Sequence, residues 1–246
     1  MPIYSSWLVV SLASLALAAS TAVHRPKPTL NPHSAASTVS SHSSAPCLDD
    51  NEISNEVRKL SSAQDYKQQA KIETLILDVA KKSPECRKRV ISVITQSMSD
   101  TSLTLTSDQR SLYVWNYGSG ILGKLKATEA LDFLIAHFDL HDGTSFPLNH
   151  HPAMVAVVRM GSIALPKLSA SLKQSTDPYL RRCIVFCMAW IGGASAYQEL
   201  SQALVVENDK CVKSFMQASL AFLGKSNHIR GPERLKWYAA FSCNDA

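Results

Sequence analysis

The chain has 246 residues, 46% of them apolar and 18% charged, a balance that supplies one sizeable core and excludes a wholly disordered or collagen-like protein. Its 25 basic and 20 acidic side chains give a formal charge of +5, too mixed to mark a nucleic-acid partner.

Residues 7–19, WLVVSLASLALAA, form an apolar run too short to span a bilayer, followed by small residues that offer cleavage at Ala16-Leu17-Ala18 or at Ala22. This reads as a removable export signal over 1–22. MPIYSS ahead of it lacks Lys and Arg, so the alternative is an uncleaved amphipathic anchor. No later stretch is expected to cross a membrane. Residues 23–46 are Ser, Ala, Thr, Pro and His with almost no large apolar side chain, which predicts a disordered linker that cannot offset its own ordering entropy. His24, His33 and His42 are too diluted by serine to form a metal tract.

The folded body is expected over 47–246 as a single helical domain. Without Arg25 and Lys27 it carries 23 basic and 20 acidic side chains, a formal +3. NEISNEVRKL, YKQQAKIETLILDVAKK and PECRKRVISVITQSM place apolar residues three and four apart, which predicts three helices. Asp49 or Asp50 caps the first, and Pro84 suits a first helical turn. Lys81, Lys82, Arg87, Lys88 and Arg89 fall around the turn at Pro84 and read as solvated helix ends. SLTLTS, 102–107, alternates like a strand, but it has no sheet to join and is expected to be a loop.

From residue 110 onward one column repeats. Gly123, Gly161, Gly192 and Gly224 each follow a large apolar residue, at intervals of 38, 31 and 32, the size of a helix-turn-helix unit. Five residues before each glycine stands a small residue: Gly118, Ala156, Cys187 and Ser219. The glycines are predicted at the turns of the repeat, and the small column where a neighbouring helix comes close. GSGILG at 118–123 fits the dinucleotide pattern, yet no strand precedes it, and packing accounts for two of its three glycines; Gly120 is left unexplained.

Six cysteines in an exported chain permit disulfides. Helix positions pair Cys47 with Cys86 and Cys211 with Cys243, each pair level across antiparallel helices. Cys183 and Cys187, one turn apart at inward positions, are expected to be buried free thiols. His137, His141, His150 and His151 lie within fifteen residues, and a pair one turn apart can share Zn²⁺. Phe138 stands where a HExxH protease needs its glutamate, so a polar inter-repeat loop is the plainer reading. Trp115, Trp190, Trp237 and Tyr238 are candidate interface anchors, large in area and cheap in entropy, but filling gaps between repeats is the plainer reading of each. No G-x-S-x-G elbow occurs.

Residues 177–204, DPYLRRCIVFCMAWIGGASAYQELSQAL, resemble a HEAT-like repeat of the kind common in bacteria. An acidic residue and proline open it, small residues pack, and Ile191-Gly192 turns into a second helix. The Asp177/Arg181 spacing recurs at Asp209/Lys213. The resemblance covers about 178–224 well and 110–177 more weakly. It implies a right-handed α-solenoid of antiparallel helix pairs, with a concave protein-binding face lined by second helices. The expected function is therefore an exported, non-enzymatic scaffold or adaptor with an unidentified protein partner and no cofactor. The alternative is a metal-binding protein or metal-dependent enzyme that uses the histidine group. A lyase-type accessory role rests on family analogy alone.

Overall fold

The computed structural model describes residues 47–62, 65–100, 109–140, 151–224 and 237–242 apart from 239. The expected signal and linker, SLTLTS, His141, His150 and Cys243 lie outside the described residues. Among those described, all regular structure is helical and there is no strand, so the protein is all-α. Its elements are α1 (Asp50–Ser62), α2 (Tyr66–Lys81), α3 (Pro84–Ser99) and α4 (Gln109–Lys124). A 3₁₀ turn (Thr128–Ala130) follows and leads into α5 (Leu131–Ile135). Then come α6 (Pro152–Met160), a second 3₁₀ turn (Gly161–Ala164), α7 (Leu165–Gln174), α8 (Pro178–Ile191), α9 (Gly193–Val206) and α10 (Lys210–Gly224).

Local chemistry sets the helix starts. Asp49 Oδ1 accepts from the Glu52 amide and Glu52 Oε2 from the Asp49 amide, both at 2.8 Å, a reciprocal capping box. Asp65 and Ser83 cap α2 and α3, Pro84 taking the first turn of α3. Asp177 caps α8 by accepting from the Tyr179 amide, and Asp209 accepts from the Cys211 and Val212 amides at the start of α10. The spacing that suggested an Asp177–Arg181 pair needs correction. Asp177 is occupied by its own helix, and Arg181 instead reaches the buried Glu207 between α9 and α10. Burial decides this: an unpaired carboxylate at Glu207 would be far costlier than one at exposed Asp177.

The helices α1, α2 and α3 pack on one another, and α1 and α3 also pack on α4. From there α4 meets α6, α6 meets α8 and α8 meets α10, while α7 touches α8 and α9, and α9 touches α10. The small column lies in these seams: Ala156, Cys187 and Ser219 are fully buried, as is Gly118. A Cβ at Gly118 would come within 2.7 Å of Met98 Sδ on α3. The Cys187 thiol points at the Met154 carbonyl of α6.

One glycine of the turn column is not at a turn. Gly123 lies inside α4, and a Cβ there would stand 3.0 Å from the Ala156 carbonyl oxygen and 3.1 Å from its Cα. It serves close approach of α4 to α6. The corner falls three residues later, at Lys126, whose φ of 50° is left-handed. Amides of Lys126 and Ala127 close back onto the carbonyls of Gly123 and Leu122, and Arg87 of α3 donates to the carbonyls of Leu125 and Lys126 at 2.7 and 3.2 Å. Measured from Lys126, the interval to Gly161 is 35 residues rather than 38, closer to the later spacings. Gly161 and Gly192 do sit at corners, with φ of 74° and 72° and extended ψ, a combination essentially confined to glycine. Gly224 is the last residue of α10.

Cys47 and Cys86 form a disulfide, Cα atoms 5.5 Å apart, across a sequence separation of 39. On the chain-entropy model such a link stabilises by about 4 kcal/mol. Disulfides persist in oxidising compartments, which fits an exported chain. Against the expectation that no later stretch could span a membrane, Pro152–Gln174 is long and apolar enough by length and composition. Half of that window is buried inside the protein, and the positive φ of Gly161 bends it, so it is explained as core.

Gly123→Val should lower stability by about 1–3 kcal/mol, because the clash is with backbone that cannot rotate away. Gly224→Ala, which meets nothing within 4 Å, should stay within about 0.5 kcal/mol. Chemical denaturation midpoints measure both; equal shifts would remove the close α4–α6 approach from the account.

Candidate interaction face

A stripe of α8 formed by Tyr179, Arg182, Phe186 and Trp190 faces the C-terminal residues. Phe186 stacks on Trp237 at 4.7 Å and meets Tyr238 and Phe241 at 5.9 and 5.8 Å. From α10, Phe215 and Phe222 stack on the same Trp237 at 5.8 and 4.2 Å, and Ser219 Oγ accepts its indole N–H at 2.9 Å. Arg182 donates to the Phe241 carbonyl at 2.7 Å and lies over the rings of Tyr179 and Phe241. At 100° per residue, Phe186 is turned about 140° around α8 from Arg181, which reaches the α9–α10 corner. The aromatic stripe is thus on the side of α8 turned away from α9.

The same register locates the equivalent positions on the other helices. One residue before each small position stand Tyr117, Val155, Phe186 and Ala218; four further on stand Ile121, Arg159, Trp190 and Phe222. On α4 this side meets α2: the Tyr117 hydroxyl bonds Gln69, and Lys124 pairs with Glu73 at 2.7 Å. Gly120 lies between, where a Cβ would come to 3.4 Å from Arg159 Nη1 and 3.8 Å from Glu73 Oε1. This accounts for the third glycine of GSGILG, which sits in mid-helix with no phosphate-binding loop around it. On α6, Val155 and Val158 are half-buried and Arg159 is exposed, with no ion pair among the described residues.

Two of the four candidate anchors take the gap-filling role instead. Trp115 and Trp237 are 1% and 3% exposed, core side chains that fill the space beside small residues. Trp115 stacks on Phe133 and meets the His137 ring. Trp190 and Tyr238 are half-buried at the edge of the aromatic cluster.

The histidine group does not form a solvated loop as a set. His151 is 2% exposed, Nδ1 directed at the Phe138 carbonyl, and His137 is half-buried with Nδ1 at 2.7 Å from the Phe133 carbonyl. His151 immediately precedes α6, so packing of that helix takes it inside. Among the described residues no cluster of three His, Cys, Asp or Glu is placed to hold a metal ion.

Cys211 is disulfide-bonded; its expected partner, Cys243, lies outside the described residues. Cys183 and Cys187 are free and fully buried. Burial pushes the Cys183 thiol up to about 12 and raises Cys187 well above its usual value, so neither is a nucleophile near neutral pH. Burial, with Cys183 beside it, likewise raises the Tyr179 phenol. Reading the sequence missed Glu207, Glu73 and Arg159; only the odd glycine at 120 signalled the close contact between α4 and α6 side chains. No family model, curated protein or solved structure matches the chain, so the HEAT-like resemblance rests on its residues alone.

Burial holds both thiols protonated in the folded chain at pH values where they would ionise in the unfolded one. A folded-state value raised from 9.0 to about 12 gives stability that is whole below pH 9 and is lost as pH rises toward 12. Denaturation across that range should show this alkaline loss reduced in Cys183→Ala. A further expectation is that His151→Ala costs about 1–3 kcal/mol, as loss of a buried hydrogen-bonded side chain does; a change under 0.5 kcal/mol in thermal or chemical unfolding would contradict its burial.

Proposed function

We propose that this chain is an exported helical-repeat scaffold, a right-handed α-solenoid of antiparallel pairs, that binds another protein and performs no chemistry of its own. The supports for export are the apolar segment at 7–19, the polar linker and the Cys47–Cys86 disulfide. The resemblance assigns the binding face to second helices. We place it instead on the first helices, on the side of α4, α6 and α8 turned away from α9, centred on Val155, Val158 and Arg159. The observation that carries this is the contrast between equivalent positions: Tyr117 bonds α2 and Phe186 is stacked beneath Trp237, while α6 presents half-buried valines beside an exposed guanidinium. An apolar floor with one strong multidentate donor at its edge suits a protein segment with apolar side chains and a carboxylate.

The test is site-specific photocrosslinking in the full chain. A photoreactive residue at Val155 should give one discrete adduct in the exported fraction, at least tenfold stronger than one at Gln202 on α9, and Arg159→Glu should remove it. Equal labelling from both positions, or none, would overturn the reading. Stoichiometric Zn²⁺ in protein purified without added metal, lost in His137→Ala, would favour the metal alternative.

A further inference from the structure

The side chain of Arg159 crosses from α6 onto α4 over two glycines. A Cβ at Gly123 would stand 3.1 Å from Arg159 Cβ, and a Cβ at Gly120, one turn earlier on α4, 3.4 Å from Arg159 Nη1. The stem therefore starts over Gly123 and the guanidinium comes to rest over Gly120. At Gly123 the neighbours include the backbone of α6, so helix approach alone demands a glycine there. At Gly120 they are only the tips of two long side chains, Arg159 and, at 3.8 Å, Glu73 Oε1. Alanine would fit beside both at ordinary contact distance and would favour the helix, so helix packing does not by itself require glycine at this point. What the missing side chain leaves is room for the guanidinium, which a larger residue would take.

Glu73 is the acid best placed to capture that guanidinium, and it does not. Its Oε1 lies beside the same spot over Gly120, yet it pairs with Lys124 at 2.7 Å, and Arg159 makes no ion pair among the described residues. The Glu73 side chain is only 17% exposed, so its carboxylate needs a cation close by, and Lys124 supplies it from one turn further along α4. Arg159 is left seated and exposed, with no acid engaged. Two cations and one acid leave a single positive charge here, the complement of one carboxylate.

We propose that Gly120 and Lys124 are positioning residues for Arg159: the glycine seats the guanidinium, and the lysine occupies Glu73 so that the guanidinium stays available to an Asp or Glu side chain of the partner. This rests on the scaffold reading above and names what holds the charged contact of that face ready. The fork of Arg159 then meets the carboxylate with two parallel N–H···O bonds. Seating it beforehand reduces the entropy lost when the partner arrives. Without Lys124, Glu73 draws Arg159 into an internal pair and the face loses its anchor.

The test uses the full-length protein with Gly120→Leu, Lys124→Ala and the double variant Lys124→Ala/Glu73→Gln. By ¹⁵N relaxation, the Arg159 Nε–H order parameter should exceed about 0.6 in the wild type and fall below it in Gly120→Leu. Sodium acetate, against sodium chloride at equal ionic strength, should shift the Arg159 resonance saturably. That response should be at least tenfold weaker in Lys124→Ala and return in the double variant, and the Val155 crosslink should follow the same order. The crosslinked partner segment should carry Asp or Glu within four residues of the attachment point. Equal order parameters in the wild type and a folded Gly120→Leu would overturn the seating, and an undiminished acetate response in Lys124→Ala would overturn the role of the lysine. Inorganic phosphate bound as tightly as acetate, or a crosslinked segment without an acid, would overturn carboxylate recognition. Should Gly120→Leu fail to fold, the wild-type order parameter and the two lysine variants decide. Absence of the Val155 crosslink in the wild type, with the acetate responses in this order, would count against the scaffold reading and not against the seating of Arg159.

Discussion

A side chain of any size at position 123 would run into the carbonyl and Cα of Ala156, and the rest of the array inherits its placement from that approach. Two helices can come this close only where one contributes no Cβ and the other a single methyl. Once α4 and α6 are so set, Gly118 is pressed against Met98 on α3 and Cys187 is carried up to the Met154 carbonyl. The series α4, α6, α8, α10 is thus a chain of short seams, and each seam has a small residue in it. Widening one would misalign every corner that follows.

The two ends of that series are finished by different chemistry. Toward the N-terminus, α2 lays polar side chains on α4, with Gln69 on Tyr117 and Glu73 on Lys124. At the other end, rings close over α8 and α10, and hydrogen bonds from the Trp237 indole to Ser219 and from Arg182 to the Phe241 carbonyl accompany them. Polar cover fixes donor and acceptor positions but is replaceable by water; aromatic cover buries large area in stacked and edge-to-face arrangements.

Helix content, the first three spans and the pairing of Cys47 with Cys86 were legible because each follows from local periodicity and capping. The small column was legible too, since four buried seams demand four small residues at one offset. What misled was the glycine column. Gly123 and Gly161 occupy the same textual position for unrelated reasons, one to let a helix in and the other to turn the backbone, and a sequence shows only that both lack a side chain. The α4 corner used Lys126 instead, stabilised from outside by Arg87, a residue 39 positions earlier. The buried acid Glu207 was invisible for a similar reason: its partner Arg181 already had an acid at helical spacing. His151 read as part of a loop because its neighbours are polar, whereas its burial is imposed by α6 starting one residue later. The roles of Trp115 and Trp237 stayed open between anchor and gap-filler because area and stiffness suit interfaces and cores alike.

The covalent bond between Cys47 and Cys86 also decides how the molecule carries load. Arg89 adds a hydrogen bond to the Leu48 carbonyl and an ion pair with Asp50, so the start of the body is fastened to α3 at three points. Tension arriving through the residues ahead of Cys47 passes directly into α3 and bypasses α1. The first helix therefore does not unravel as the weakest link. Any pull must instead move α3 bodily, against the packing of α1, α2 and α4 together, which turns the N-terminal end of the fold into a mechanical clamp.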